Sequence, residues 1–107
     1  MDPRGPLSRE WHIRHVPETG STNADLLAAA AAGAPDRSVL RADHQTAGRG
    51  RLDRRWDAPA GTNLLVSVLF RDAAGHGPPI ELMRRVAIAA VDAVAATTGI
   101  DARLKWP

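Results

Sequence analysis

The chain has 107 residues, with 14 basic and 12 acidic side chains, a formal net charge of +2 and no cysteine. That length suits one small domain with a modest core, the missing cysteines exclude disulfides, thiolate metal sites and a cysteine nucleophile, and so small a net charge argues against bulk nucleic-acid binding. No apolar run approaches the roughly 20 residues that a membrane span needs and residues 1–10 lack a signal-peptide core, so the expected compartment is the cytoplasm and no membrane partner is expected.

Residues 1–10 are polar, with two prolines and a glycine, and read as a flexible leader. Residues 11–16, W-H-I-R-H-V, alternate in the manner of a first strand, which Pro17 is expected to end. The segment E-T-G-S-T-N at 18–23 turns into a helix over residues 23–32. Ser21 or Thr22 is its natural N-cap, and Asp25 falls in the first turn, where the helix dipole favours an anion. Gly33 and Pro35 stop it. Residues 38–45 read as a second strand. Further on, T-N-L-L-V-S-V-L-F at 62–70 is the most strongly apolar run and reads as a central buried strand. A turn, A-A-G-H-G-P-P, leads into a long helix over 80–98, with Met83, Val86, Ala87, Ala90, Val91 and Val94 on one stripe. Gly99 caps it, and residues 100–106 read as a last strand. Interleaved strands and helices define an α/β or α+β class.

Between the second strand and the apolar run lies the most informative stretch, residues 42–56: A-D-H-Q-T-A-G-R-G-R-L-D-R-R-W. It sets Arg49, Arg51, Arg54 and Arg55 around Gly48 and Gly50. Glycine permits the backbone to fold back on a ligand, and guanidinium groups grip phosphate or carboxylate through paired, charge-assisted bonds. Trp56 offers a face to a flat ring. These parts suit a nucleotide or an acyl-adenylate. With four arginines and little apolar content, residues 47–60 are expected to be mobile until a ligand offsets the ordering entropy. The four histidines show no ligand spacing, so no metal site is assigned to them.

Three separated motifs share an order: G-S-T-N at 20–23, Q-T-A-G-R-G-R-L-D-R-R-W at 45–56 and L-K-W-P at 104–107. With G-T-N-L at 61–64, they resemble the N-terminal half of the catalytic domain of biotin protein ligases, over residues 11–107. The resemblance implies a partial mixed β-sheet with flanking helices, of the class II aminoacyl-tRNA synthetase and biotin ligase type. It also implies ATP-dependent activation of biotin to biotinyl-5′-AMP, then transfer to a lysine of a biotin carboxyl carrier protein, with ATP and Mg²⁺ required. Biotin contacts are implied for Ser21, Thr22, Asn23, Gln45, Gly48, Arg49, Gly50 and Arg51. Adenylate contacts are implied for Arg49, Arg51, Arg54 and Trp56, and catalytic roles for Arg49, Arg51 and Lys105.

The family's last motif continues into asparagine and aspartate, followed by the rest of the catalytic domain and a small SH3-like domain. Here the sequence stops at Pro107, so the expectation is a chain that does not complete the reaction alone. No helix-turn-helix precedes Trp11, so no DNA partner is expected. Taken singly, each residue has a plainer reading: Ser21 and Thr22 as helix caps, Gln45 as a solvated strand end, the arginines as an exposed loop. Their joint order and spacing carry the ligase reading. The alternatives are a lipoate or octanoyl transferase relative, whose members generally lack the glycine–arginine loop, and a non-enzymatic module that binds nucleic acid or another anion.

Overall fold

Strand β2, Ser38–Gln45, organises the first half of the chain. In the computed structural model, which describes residues 11–71 and 77–105, β2 lies between two others in the order β1-β2-β5. Strand β1, His12–Thr19, runs parallel to it, and β5, Leu65–Leu69, antiparallel. The sheet is therefore mixed, and the fold is α+β. In β2, Ser38, Leu40 and Ala42 are buried while Arg41 and Asp43 are exposed. That alternation marks a strand with one covered face.

Helix α1, Thr22–Ala31, supplies the cover. Ser21 is its N-cap: the backbone is extended there, and the hydroxyl accepts from the Ala24 amide at 3.2 Å. Leu26 of the helix is buried together with Leu40, Ala42 and Leu65 of the sheet. Gly33, at φ +97°, lets the chain leave the helix. Arg71, beyond β5, returns to that end and donates to the Ala30 carbonyl at 2.5 Å and to the Ala34 carbonyl. The guanidinium adds a second donor at the Ala30 carbonyl, which already accepts from the Gly33 amide at 3.1 Å, and ties the helix end to the chain beyond β5.

Two expectations for this unit are corrected. Pro17 does not end β1, which continues to Thr19. A residue without an N–H is tolerated because β1 is an edge strand, whose outward donors have no ladder to join. The apolar run at 62–70 is not a central strand among the described residues. Only Leu65–Leu69 is strand, at the sheet's other edge, with Val66 and Val68 exposed on the uncovered face. Its residues are apolar on both faces, but α1 covers one.

The chain divides into two units at Arg71. In the second, α2 spans Pro79–Thr98. Pro79 begins it, where a missing N–H is harmless, and Gly99, at φ +74°, closes it in the left-handed conformation, its amide bonded to the Ala95 carbonyl at 2.9 Å. The predicted stripe is on this helix, yet none of its residues is fully buried. The expected last strand is not seen among the described residues: 100–105 are irregular, and no described strand pairs with them. Leu104 instead lines a small pocket with Arg84, Ala87 and Ile88. Trp106 and Pro107, the leader 1–10 and most of the turn before α2 lie outside the described residues.

Candidate functional site

The start of α1 and the end of β2 meet through one side chain. The Gln45 Oε1 atom accepts from the Thr22 backbone amide at 2.8 Å and from the Thr22 hydroxyl at 3.1 Å. A backbone N–H can only donate, so the Gln45 atom facing it is the carbonyl oxygen and the NH₂ end points elsewhere. Thr22 Oγ1 also lies 2.8 Å from Ser67 Oγ on β5. The three elements thus share one polar chain, half-buried at Gln45 and Ser67 and buried at Thr22.

The two loops beside this chain are laced by backbone bonds. Thr46 N donates to Thr19 O at 3.0 Å, and Ala47 N to Gly20 O at 2.7 Å. The arginine stretch then forms a small hairpin. Strand β3, Gly48–Arg49, pairs antiparallel with β4, Arg55–Trp56. A 3-10 turn, Arg51–Asp53, joins them, and the Gly50 amide bonds to the Arg54 carbonyl at 2.5 Å. Gly48 is required by close approach: a Cβ there would meet the Trp56 carbonyl oxygen at 2.7 Å and Gln45 Nε2 at 3.0 Å. Leu52 and Asp53 both adopt left-handed backbone, at φ +58° and +60°, a conformation that disfavours side chains with a Cβ.

These elements enclose a cleft of about 740 Å³. Ser21, Thr22, Asn23 and Gln45 line its polar side, and Arg49 and Trp56 its rim. Leu27 and Leu64, both largely exposed, add apolar wall. A second pocket, of about 280 Å³, lies under the hairpin between Arg49, Asp53 and Arg55. Arg49 and Ala47 line both, so Arg49 sits where the polar cleft gives way to the basic pocket. A pocket of that composition can hold a neutral polar ring at one end and an anion at the other.

The sequence-selected residues are distributed as follows. Ser21, Thr22, Asn23, Gln45, Arg49 and Trp56 come together in the cleft, and Gly48 lines the basic pocket. Gly50 and Arg54 form the hairpin turn and line neither. Arg51 opens the 3-10 turn. Lys105 belongs to the second unit and is exposed. Sequence reasoning missed Ser67 and Ala47. Ser67 had a legible signal: it is the one polar residue in L-L-V-S-V-L-F, two positions from Leu65 and so on the same, covered face.

Among the described residues, no three His, Asp or Glu side chains are grouped to hold a metal ion. Two histidines instead pair with carboxylates across β1 and β2: His15 with Asp43 and His44 with Glu18, each at 2.8 Å.

Comparison with known proteins places this geometry in a family. Residues 17–107 match the model of the biotin/lipoate A/B protein ligase family, and the chain belongs to that family. It is 44% identical to the biotin–[acetyl-CoA-carboxylase] ligase of Mycobacterium tuberculosis, over 86% of the chain and 36% of that protein. It is 40% identical to the ligase of the same name from Paracoccus denitrificans, over 83% of the chain and 37% of that protein. The bifunctional ligase/repressor BirA of Bacillus subtilis is 34% identical over 69% of the chain and 23% of its own length. The chain thus spans about a quarter to rather more than a third of these relatives.

Proposed function

We propose that these residues carry the biotin-binding and part of the adenylate-binding machinery of a biotin protein ligase. In this reading the polypeptide joins biotin to ATP as biotinyl-5′-AMP and passes the biotinyl group to a lysine of a biotin carboxyl carrier protein, in the cytoplasm, on a fold of the class II synthetase type. The observation that carries it is the place of Arg49, which lines both the polar cleft and the basic pocket. An acyl-adenylate has the same two-part character: a polar ring and aliphatic chain, then a phosphate.

The chemistry explains the need for the arginines. Activation brings the biotin carboxylate up to a polyphosphate, and two unit charges 4 Å apart repel by about 4 kcal/mol at an effective dielectric near 20. Arg49 and Arg55, facing the basic pocket, would offset that repulsion and hold the charge that develops on the phosphate. Arg51 and Arg54 extend the same loop, and Lys105 is proposed to approach the phosphates. No base is needed to create the nucleophile, since a carboxylate is already ionised at pH 7. At the other end, the ureido group offers one acceptor and two donors, and Ser21, Thr22, Asn23 and Gln45 offer complementary hydroxyl and amide groups. Trp56 would pack beside the adenylate. Mg²⁺ is proposed to arrive on the nucleotide phosphates; the described residues do not form a metal cage, and no step here is routed through the ion.

A titration with biotin and with a non-hydrolysable biotinyl-AMP analogue tests the reading, set against RNA and DNA at several salt concentrations. Adenylate binding that changes little with salt is expected. Tight nucleic-acid binding that falls steeply with salt, with no adenylate binding, would replace it by the anion-binding reading.

A further inference from the structure

We infer that Ser67 is a positioning residue for biotin recognition: by bonding to the Thr22 hydroxyl it fixes the direction in which that hydroxyl donates, beside a Gln45 amide that the Thr22 backbone N–H holds in place. The inference rests on the proposed biotin-binding function. It begins from a bookkeeping of protons. Gln45 Oε1 lies 2.8 Å from the Thr22 amide and 3.1 Å from the Thr22 hydroxyl. A carbonyl oxygen only accepts, so the Thr22 hydroxyl proton is directed at Gln45. Thr22 Oγ1 is then left with lone pairs alone. Its 2.8 Å contact with Ser67 Oγ must be a bond that Ser67 donates. The chain has one direction: Ser67 to Thr22 to Gln45.

Two consequences follow for the cleft. The Gln45 NH₂ group has its two donors left for a ligand or for neighbouring acceptors, and it cannot flip without setting its own donors against the Thr22 amide. Ser67 Oγ, its proton committed, presents only lone pairs, so within this chain of groups donors collect at Gln45 and acceptors at Ser67. Both residues line the same cleft as Thr22. Gly48 helps to hold this arrangement, because any side chain there would press on Gln45 Nε2. Ser67 itself sits in a strand of Leu and Val, where a hydroxyl without a partner would be unfavourable.

Removing the Ser67 hydroxyl frees the Thr22 hydroxyl to rotate away from Gln45, while the Thr22 backbone amide still holds Gln45 Oε1. The loss should therefore fall on discrimination as well as on affinity. The probes are biotin and 2-iminobiotin, in which an imine nitrogen replaces the ureido oxygen. Ser67→Ala is expected to weaken biotin about tenfold, as loss of one polar contact of about 1.4 kcal/mol implies, and to narrow the biotin-to-iminobiotin ratio. Ser67→Thr keeps the donor and should restore both. Ser67→Cys keeps the volume with a weaker donor and should fall between them; it also serves if the alanine variant does not fold. Biotin binding and selectivity in Ser67→Ala or Ser67→Cys equal to the parent's would overturn the inference and leave the biotin reading intact. A parent that binds neither probe would remove the biotin reading, and the inference with it.

Discussion

Arg49 and Arg55 stand directly opposite one another as cross-strand partners in the β3–β4 hairpin. Like charges at such a position disfavour pairing, by a few tenths of a kcal/mol to about 1 kcal/mol. The hairpin has only one other cross-strand pair, Gly48 with Trp56. An anion between the two guanidinium groups would convert the repulsion into joint coordination.

Limited trypsin digestion should report that conversion, because Arg49, Arg51, Arg54 and Arg55 are all cleavage points. In a complete ligase carrying this loop, cutting is expected to begin here and to slow several-fold when the biotinyl-AMP analogue is bound. Equal rates with and without the analogue would show that the loop does not order around the phosphate.

In a complete ligase, Arg49→Ala should weaken retention of the adenylate far more than it weakens folding. The side chain is exposed and little packing is lost, whereas a charge-assisted contact is worth about 1.5–3 kcal/mol. Dissociation of the biotinyl-AMP analogue is expected to speed up by roughly 10- to 100-fold on that basis. Stopped-flow release kinetics, beside a denaturation curve, separate the two effects.

Gly48→Ala is expected to disrupt the hairpin and the cleft together. The new methyl would lie 2.7 Å from a backbone oxygen of Trp56, which cannot rotate away as a side chain would. Overpacking of this kind destabilises by about 1–3 kcal/mol. Urea denaturation should show the loss, and biotin binding should fall with it. Unchanged stability and binding would mean that Gly48 is not needed for close approach.

Leu52→Gly should act in the opposite direction. Leu52 is 86% exposed, so little packing is lost, and its φ of +58° suits glycine. Relief of left-handed strain is worth about 1 kcal/mol, partly offset by the greater freedom of glycine in the unfolded chain. A small gain in stability, or no change, is expected in denaturant. A loss above about 1 kcal/mol, the scale at which a buried contact is involved, would contradict the open position of this side chain.

The parts of the fold that were legible were those whose limits are written in local chemistry. Strand β2 has the boundaries expected, and α2 begins and ends within a residue of them, between Pro79 and Gly99. The mixed sheet followed from the resemblance. Edge and centre were not legible, because Pro17 and the apolar run at 62–70 carry no information about how many neighbours a strand has. In the cleft, the grouping of Ser21, Thr22, Asn23 and Gln45 was implied by motif order alone. The bond from Thr22 to Gln45 joins residues far apart in sequence, and nothing in either segment specifies which amide atom faces inward. Ser67 lay inside a run that reads as core, so its polar role needed the register of β5 on β2, which pairs it with Leu40.

The two margins of the sheet are unlike. On one side Pro17 removes a donor from β1, which makes that margin a poor template for a further strand. On the other, Leu65–Leu69 contains no proline and carries Leu and Val at four of its five positions. Recruitment of another extended segment, whether from the same polypeptide or from a neighbouring molecule, is therefore directional: it is favoured along β5 and hindered along β1. The same asymmetry locates the aggregation hazard of this unit, and a lysine in place of the exposed Val68 is the substitution that would blunt it.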